Sequence, residues 1–416
     1  MLSVYSVDPS VQLDRLQALL AELTQGNRFY TRRLADAGVT PQIASLADFS
    51  ARMSFTHKEE LVSDQAQHPP YGTNHTFPLQ RYTRFCQTSG TTARSLVILD
   101  TQESWDWMLG NWAAIYRAGG LVPGDRVYFA FSFGPFLGFW TAFEAAAKYG
   151  CLCIPGGGLG SGARVRALIH HRADVLCCTP TYALHLAQTA VEEGIDLREA
   201  AVRKIIVAGE PGGSVKEVRE RISAAWNGAQ VLDHYGMTEV GPVAYQDLAQ
   251  PGFLHVIESA YFAEIVDSAN GTAVEAGHVG ELVLTTLGRT SCPLLRYRTG
   301  DLVRRAADLP GFALAGGIIG RADDMVVVRG VNLYPSAVDA VVKLVPEIAE
   351  YRVEVSRRGS LAEVGVLIES EDDRAAQKLE RALSAAFSLR IPVTRVKHGR
   401  LPRFEMKARR WVTTDT

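Results

Sequence analysis

The chain has 416 residues, of which 47% are hydrophobic and 21% are charged. This composition supplies enough apolar mass for a large folded core, and the length predicts more than one domain. Lysines and arginines number 43 against 45 aspartates and glutamates, which gives a formal net charge of −2. Without an excess of cations, binding to nucleic acid or to an anionic membrane surface is not expected.

The N-terminal segment, residues 1–25, alternates apolar and charged residues as an amphipathic helix would. Charged residues such as Asp14, Arg15 and Glu22 interrupt it, so it lacks the apolar core of a signal peptide. No apolar stretch of the chain reaches the roughly 20 uninterrupted residues that a bilayer span needs. The six cysteines are too few for a disulfide framework in a chain of this length. We therefore expect a cytoplasmic protein without a membrane anchor.

Short apolar runs alternate with helix-length segments in the middle of the chain. The pattern predicts strands over residues 126–133, 151–155 and 175–178 and helices over residues 138–149, 163–171 and 181–193. Such alternation is typical of βαβ units and a mostly parallel sheet, so the fold class is α/β. Residues 262–286, with a polar turn at 268–271, instead predict an antiparallel hairpin inside a β-rich subdomain over about 242–320.

The last part of the chain has the pattern of a small α+β domain. It predicts strands over residues 325–328, 351–355 and 361–368 and helices over residues 336–344 and 372–387. The polar run over residues 321–324 is the best candidate for a linker. We therefore predict an N-terminal domain over residues 1–321 and a C-terminal domain over residues 322–416.

Residues 88–95 concentrate hydroxyl groups and a glycine between two apolar strands. Backbone N–H groups and hydroxyls in such a turn can surround phosphate oxygens. The segment is not a Walker loop, because no Gly-Lys-Ser/Thr follows. From its residues alone, an ordinary turn is the more common explanation.

Two later segments set polar residues beside turn glycines. Residues 233–241 follow a strand-like run and set Thr238 next to Glu239 on a glycine-flanked loop. A hydroxyl beside a carboxylate suits a phosphate with its Mg²⁺, although a solvated loop glutamate gives the same pattern. Asp301 follows Gly300, and an ionised aspartate, which only accepts hydrogen bonds, suits two ribose hydroxyls. Taken alone, Asp301 is more typical of a turn or a helix cap.

Together these segments resemble the acyl-adenylate-forming superfamily, and within it the phenylacetate-CoA ligase branch. The resemblance runs from about Thr83 to Arg410, in the family's order, through QTSGTT, YFAFSFGPFLGFW, VLCCTPTYAL, AGEPGG, YGMTEVG, GELVLTTL, LLRYRTGD, GRADDMVVVRGVNLYP and LPRFEMKARR. It implies a large N-terminal domain of mostly parallel sheets with a small β-barrel subdomain. A small, mobile α+β C-terminal domain would cap it, with ATP and the acid bound between the two.

The resemblance also implies roles for individual residues. It assigns the ATP phosphates to Ser89, Gly90, Thr91 and Thr92, the adenine pocket to Gly209, Glu210, Pro211, Tyr235, Gly236 and Met237, the α-phosphate to Thr238, Mg²⁺ to Glu239, ribose to Asp301 and Arg321, and the hinge to Asp323. Lys407 matches the catalytic lysine that bridges the substrate carboxylate and the α-phosphate. A fixed cation there stabilises the charge that builds up in the transition state.

Two positions depart from the family pattern. Met406 stands where a glycine usually precedes the catalytic lysine, and Ala93 stands where the phosphate loop usually continues with glycine. Either change reduces backbone freedom. By composition alone, the basic cluster around Lys407 would be a solvated surface.

A dense aromatic segment is the candidate acid pocket. The resemblance assigns the acyl pocket to Tyr128, Phe131, Phe133, Phe136, Phe139, Trp140, Gly156 and Gly157. Such a wall suits a flat apolar acid, although core packing alone also collects aromatic residues. The short loops between these segments favour an aryl carboxylate over a long fatty chain.

The second half-reaction is inferred from the branch. Coenzyme A is the expected acceptor, and Gly330 lies where a rotated C-terminal domain would let pantetheine approach, although a hairpin turn explains this glycine equally well. The leading hypothesis is thus an AMP-forming aryl-CoA ligase that acts on a small-molecule acid and uses ATP, Mg²⁺ and coenzyme A. A second hypothesis passes the activated acid to an amine, a carrier-protein thiol or another nucleophile. A third is a non-catalytic binding protein, and a homodimer is left open.

Overall fold

Helices and strands alternate along most of the chain. The computed structural model describes residues 7–88, 95–322, 326–328, 331–333, 335–358, 361–387, 389–404 and 410–415. The helices are α1 (Pro9–Gly26), α2 (Arg28–Asp36), α3 (Leu46–Arg52), α4 (Lys58–Gln67), α5 (Gln102–Ala118), α6 (Leu137–Tyr149), α7 (Ser161–His170), α8 (Pro180–Glu192), α9 (Lys216–Ala225), α10 (Pro335–Lys343) and α11 (Ala375–Phe387). The strands are β1 (Tyr82–Gln87), β2 (Val97–Thr101), β3 (Arg126–Phe129), β4 (Leu152–Pro155), β5 (Val175–Cys178), β6 (Lys204–Val207), β7 (Gln230–Met237), β8 (Gly241–Tyr245), β9 (Phe253–Val256), β10 (Tyr261–Val266), β11 (Val279–Thr286), β12 (Tyr297–Arg304), β13 (Ala313–Ala315), β14 (Gly320–Arg321), β15 (Val326–Val328), β16 (Val331–Leu333), β17 (Glu350–Arg358), β18 (Leu361–Glu369), β19 (Val393–Val396) and β20 (Trp411–Asp415).

The centre of the molecule is an eight-stranded sheet in the order β13-β9-β8-β7-β6-β5-β3-β4. Strands β3 to β7 pair in parallel, as the βαβ alternation predicts. Alternate side chains enter separate cores on the two faces: Val127 and Phe129 lie in one, Tyr128 and Leu176 in the other. The predicted α/β class is confirmed.

The strand predicted over residues 126–133 is too long. It ends at Phe129, although the backbone N–H of Ala130 still donates to the carbonyl of Cys177 at 3.0 Å. The chain then leaves the sheet through Gly134 and Pro135 before α6 begins at Leu137. Phe129 is paired with Pro155, the last residue of β4, and proline has no N–H for a ladder, so the β3–β4 pairing stops there in spite of the aromatic residues that follow.

Antiparallel strands follow the parallel ones. Strands β10 and β11 form the predicted hairpin over residues 262–286, and the backbone N–H of Gly271 closes its turn on the carbonyl of Asp267 at 2.9 Å. With β12 and β14 they make a four-stranded sheet. Strands β8, β9 and β13 instead extend the central sheet, so the β-rich segment contributes to two sheets.

The C-terminal strands β17 to β20 form their own sheet in the order β19-β18-β17-β20. Helices α10 and α11 pack against this sheet, and the core between them is formed by apolar side chains that lie between Val328 and Ile391 in the sequence. This is the α+β arrangement that the sequence predicts for the segment. The division of the chain at residues 321 and 322 stays a prediction.

The N-terminal helices α1 to α3 form a smaller core that includes Leu16, Tyr30 and Phe49. This core is completed by Leu287 and Leu295, which flank the strands of the four-stranded sheet. The beginning of the chain is thereby fixed to a segment more than two hundred residues away. In the described residues, no helix is both long and apolar enough to cross a membrane.

Candidate active site

Three residues that the sequence assigns to the nucleotide come together at β7, β12 and β14. The hydroxyl of Tyr235 donates to Oδ2 of Asp301 at 2.6 Å. Arg321 lies opposite Asp301 in the β12–β14 pair, with its Nη1 3.3 Å from Oδ1 of Asp301. Burial, followed by the charge of Asp301, raises the pKa of Tyr235 well above its usual value, so its hydroxyl keeps its proton and remains a donor.

Gly300 allows Arg321 to approach this strand. Its φ of +74° lies in the left-handed region, and an added Cβ would stand 2.6 Å from Nη2 of Arg321. Arg321 also donates from Nη1 to the carbonyl of Thr299 at 2.9 Å. A side chain at position 300 would therefore be strained and would displace the guanidinium from Asp301.

Glu239 lies in the turn between β7 and β8 and is buried. Its Oε1 is 3.0 Å from Nζ of Lys58, the first residue of α4. The side chain of Lys58 is one third exposed. The sequence analysis did not select Lys58, because a lysine next to two glutamates at the start of a helix is an ordinary surface pattern. Only the folded chain brings it to Glu239.

Backbone pairing fixes the position of Lys58. The N–H of Thr56 donates to the carbonyl of Arg296 at 3.0 Å, and the N–H of Arg298 donates to the carbonyl of Thr56, also at 3.0 Å. The hydroxyl of Thr56 donates to the carbonyl of Leu295 at 2.7 Å. The segment before α4 is therefore held along the start of β12, the strand that carries Asp301.

The chemistry of Glu239 and Thr238 fits Mg²⁺. A carboxylate is a hard oxygen ligand, and Mg²⁺ is usually held by one or two carboxylates together with substrate phosphates. In the part of the chain that the structure describes, no group of three or more His, Cys, Asp or Glu residues could hold a metal ion by itself.

The predicted adenine loop follows β6. Gly209 has a φ of +91°, and Glu210 turns back so that its Oε1 accepts from the backbone N–H of Thr181 at 2.7 Å. At the end of this loop the hydroxyl of Ser214 donates to Oδ2 of Asp233 at 2.5 Å. Because Asp233 lies on β7, this bond ties the loop that contains Gly209, Glu210 and Pro211 to the strand that contains Tyr235, Gly236 and Met237.

The aromatic residues after β3 pack on one another. Phe131 and Phe139 are stacked with ring centroids 4.3 Å apart, and the centroids of Phe133 and Trp140 are 4.8 Å apart. Phe136 joins this cluster, with its centroid 6.0 Å from that of Phe139. We call these five residues the aromatic cluster. A Cβ added at Gly157 would stand 3.4 Å from the carbonyl oxygen of Phe131, so residues 131 and 157 are neighbours.

Tyr128 does not join the aromatic cluster. It lies in the core on the opposite face of the sheet, against α7 and α8. Gly156 packs directly on it, since an added Cβ would stand 2.7 Å from its Cε1. Burial raises the pKa of Tyr128 to about 12. Strand alternation explains the separation, because odd and even residues of β3 point to different faces.

Several predicted site residues lie outside the described residues: Ser89, Gly90, Thr91, Thr92, Asp323, Gly330 and Lys407. The ends of the predicted phosphate loop are described. The N–H of Thr88 donates to the carbonyl of Leu96 at 2.9 Å, and the N–H of Leu96 donates to the hydroxyl of Thr88 at 3.1 Å. The loop is therefore the connection of the antiparallel pair β1–β2.

The sequence matches two family models. Residues 34–291, more than half of the chain, match the AMP-binding enzyme model. This chain belongs to that family. Residues 330–414 match the model of the AMP-binding enzyme C-terminal domain.

Individual relatives agree with this membership. The chain is 32% identical to a phenylacetate-coenzyme A ligase of Pseudomonas putida over 86% of this chain and 81% of the relative. It is 30% identical to the enzyme of the same name from Escherichia coli K12 over 96% and 93% of the two chains. It is thus an AMP-forming acid–thiol ligase of the phenylacetate-CoA ligase type, as its motifs predict.

A solved structure covers nearly the whole chain. A 2-hydroxyisobutyryl-CoA ligase in its postadenylation state, bound to 2-HIB-AMP, superposes with a TM-score of 0.92 at 29% identity and covers 98% of this chain and 89% of its own. The same ligase in its thioesterification state superposes on this chain with a TM-score of 0.73. The fold of this AMP-binding enzyme therefore agrees better with the postadenylation arrangement.

Proposed function

We propose that this AMP-binding enzyme activates an aromatic carboxylic acid with ATP, releases pyrophosphate and transfers the acyl group to coenzyme A. The observation that carries the proposal is the meeting of Tyr235, Asp301 and Arg321 where β7, β12 and β14 come together. These residues come from distant positions of the chain and match the family's nucleotide motifs. Phenylacetate-coenzyme A ligases at 30–32% identity support the same chemistry.

The nucleotide would bind along the ends of β7 and β12. Asp301 would accept hydrogen bonds from the ribose hydroxyls, with Arg321 beside it, while Tyr235 keeps its donor hydroxyl on Asp301 and presents its ring to adenine. Gly209, Glu210 and Pro211 would line the base, with Gly236 and Met237 at the end of β7. Ser89 to Thr92 would surround the terminal phosphates.

The acid would be activated where Thr238, Glu239 and Lys407 converge on the α-phosphate. Mg²⁺, held by Glu239 and the phosphates, would neutralise charge on the leaving pyrophosphate. Thr238 would donate to the α-phosphate and Lys407 would orient the attacking carboxylate. A fixed cation between the two reacting groups stabilises the transition state more than the separate reactants.

The acid would enter beside the aromatic cluster, Phe131, Phe133, Phe136, Phe139 and Trp140, with Gly156 and Gly157 opposite and Tyr128 behind them. Stacked and tilted rings form a wall that suits a flat ring better than a flexible chain. A small branched acid is a second candidate, because a 2-hydroxyisobutyryl-CoA ligase superposes over 98% of this chain and the rings already fill space by packing on one another.

Thioester formation would follow a rotation of the C-terminal domain about Asp323, which would bring Gly330 to the pantetheine channel. The 2-hydroxyisobutyryl-CoA ligase is known in postadenylation and thioesterification states, which supports two arrangements in this family. A different acceptor, such as an amine or a carrier-protein thiol, remains the alternative. A cytoplasmic location and a homodimer are further parts of the proposal.

The deciding experiment measures pyrophosphate release with ATP, Mg²⁺ and a panel of benzoates, phenylacetates, cinnamates and 2-hydroxyisobutyrate, with and without coenzyme A. We expect release with an aryl acid and a thioester only when coenzyme A is present. Release without a thioester would favour another acceptor. Preference for 2-hydroxyisobutyrate would reject the aryl acid, and no release with any acid would contradict the ligase.

Phe139→Ala is expected to shift the acid preference toward larger rings. Removing the ring that stacks on Phe131 opens the aromatic cluster, and a hydrophobic pocket discriminates by about tenfold or more per group that fits or clashes. The ratio of kcat/KM for cinnamate to that for benzoate should rise about tenfold. Tyr149→Ala is the matched control, since Tyr149 lies on the same helix but its ring packs on Tyr116 of the core, with centroids 6.1 Å apart. An equal shift in both variants would contradict a pocket role for Phe139.

Lys58→Met is expected to lower the concentration of free Mg²⁺ that gives half-maximal activity by about two- to fivefold. Mg²⁺ must displace the Lys58 ammonium from Glu239, and a partly exposed ion pair of this kind contributes at most about 1 kcal/mol. Pyrophosphate release titrated with Mg²⁺ measures the change, and Lys58→Arg, which keeps the cation, should resemble the unmodified enzyme. A requirement for more Mg²⁺ in Lys58→Met would show that Lys58 assists the ion instead of competing with it.

A further inference from the structure

A completely buried ion pair lies beneath the turn that contains Thr238 and Glu239. Neither Arg289 nor Asp100 has any exposed side-chain surface. Nε of Arg289 donates to Oδ1 of Asp100 at 2.8 Å, and Nη2 donates to Oδ2 at 2.5 Å. The two groups thus form a bidentate pair, the geometry in which arginine recognises a carboxylate best.

The third nitrogen of Arg289 reaches the predicted catalytic turn. Its Nη1 donates to the carbonyl of Thr238 at 3.0 Å and to the carbonyl of Glu239 at 2.7 Å. Every guanidinium nitrogen is therefore in use. Because Nη1 binds the backbone and not the side chains, Arg289 engages neither the hydroxyl of Thr238 nor the carboxylate of Glu239, whose Oε1 is paired with Lys58.

Asp100 connects this turn to the predicted phosphate loop. It lies on β2, the strand that continues directly from the loop of residues 88–95, and β2 is paired with β1 on the other side of that loop. The hydroxyl of Ser291 donates to Oδ1 of Asp100 at 3.0 Å, which fixes the carboxylate further. The pair therefore joins the strand that follows the phosphate loop to the turn that would hold the α-phosphate and Mg²⁺.

Stability alone gives little reason for such a pair. Taking two charges out of water costs several kcal/mol per ion, and hydrophobic residues of similar volume often stabilise a core equally well. A bidentate pair that also binds two backbone carbonyls does fix three chain segments at defined distances. Its geometry thus suits positioning more than stabilisation.

We infer that Arg289 is a positioning residue for adenylation. Together with Asp100, it holds the turn of Thr238 and Glu239 at a fixed distance from β2, the strand that follows the predicted phosphate loop. The inference rests on the proposed function. ATP must meet both segments at once, and a displacement of about 1 Å in such a site can reduce catalysis about a hundredfold. Loss of the pair should therefore impair the use of Mg²⁺ and ATP while leaving acid binding unchanged.

The test uses Arg289→Lys, which keeps the charge but cannot form the fork. We expect the kcat for pyrophosphate release to fall about tenfold or more and the Mg²⁺ requirement to rise, with the KM for the acid unchanged. A second measurement does not depend on turnover: the increase in Tm that ATP and Mg²⁺ produce should be smaller in the variant, because ligand stabilisation follows affinity.

Arg126→Lys is the matched control. Arg126 also binds a carboxylate through two nitrogens, with Nε and Nη2 donating to the oxygens of Asp174 at 2.8 and 3.1 Å. This pair joins the first residue of β3 to the residue before β5, at the opposite ends of these strands from the aromatic cluster and the predicted adenine loop. The control also loses a bidentate pair but should keep kcat and the Mg²⁺ requirement.

A double variant separates positioning from folding. Asp100→Leu with Arg289→Met removes both charges and leaves none buried alone, so it should fold even if Arg289→Lys does not. If the folded double variant, or Arg289→Lys, keeps kcat within about twofold, the inference is wrong. It is also wrong if Arg126→Lys loses kcat equally. An unmodified enzyme that is inactive with every acid would instead contradict the proposed function.

Discussion

Lys407→Ala is expected to reduce acid-dependent pyrophosphate release by about 100- to 1000-fold. Removing one preorganised group that stabilises developing charge typically has an effect of this size. The lysine would contact the carboxylate and the α-phosphate only as they react, so kcat should fall much more than the KM for ATP rises. Steady-state pyrophosphate release with the acid found in the panel measures the change.

Lys397→Ala is the control for this variant. Lys397 is an exposed lysine in the same C-terminal part of the chain, directly after β19. Its substitution should leave the rates of both half-reactions unchanged. A further comparison supplies synthetic acyl-adenylate with coenzyme A. Lys407→Ala should still form the thioester from it, because the lysine acts in the first half-reaction. A loss of less than about tenfold in pyrophosphate release would contradict the assignment of Lys407.

Asp301→Asn is expected to raise the KM for ATP by about 10- to 100-fold, with a smaller effect on kcat. Hydrogen bonds to charged groups contribute about 1.5–3 kcal/mol each, and the neutral amide replaces one acceptor oxygen with a donor. The amide would also lose the charge that attracts Arg321, whose Nη1 is 3.3 Å away. Initial rates at varied ATP and saturating acid measure the effect.

Tyr235→Phe separates ribose binding from the internal hydrogen bond. It removes the hydroxyl that donates to Asp301 at 2.6 Å but keeps the carboxylate and the ring. We expect the KM for ATP to rise only about twofold to tenfold, in line with the loss of one hydrogen bond to a charged group. If Asp301→Asn and Tyr235→Phe had equal effects, Asp301 would serve to orient Tyr235 and not to bind ribose.

Local pattern was sufficient for much of the fold. The run of residues 175–178 is apolar, flanked by polar residues and followed by a helix capped at Thr179, and it forms a strand with the bounds that the sequence predicts. The hairpin of β10 and β11 was equally visible, since polar turn residues separate two apolar runs. The strand from Arg126 was predicted too long because aromatic residues favour strands, whereas its pairing with β4 stops at Phe129, opposite Pro155.

The candidate site divides in the same way. Tyr235, Glu239, Asp301 and Arg321 could be proposed from the sequence because each belongs to a motif that is short in sequence. Lys58 and Arg289 were missed, since neither belongs to such a motif and each reaches its partner across a large separation in the chain. Lys58 meets Glu239 only because Thr56 is paired with the backbone beside β12, and Arg289 meets Asp100 only in the closed core.

By itself, the sequence determined the α/β class, membership in the AMP-binding enzyme family and the residues that carry the nucleotide motifs. These features depend on local periodicity and on short segments whose chemistry is complete within a few residues. Only the tertiary structure decided which charges face one another and which rings of the aromatic segment pack together, because a contact between distant residues depends on how the strands are ordered and paired. The Arg289–Asp100 pair is the clearest case: two ordinary charged residues, 189 positions apart, are bonded in the core beneath the predicted catalytic turn.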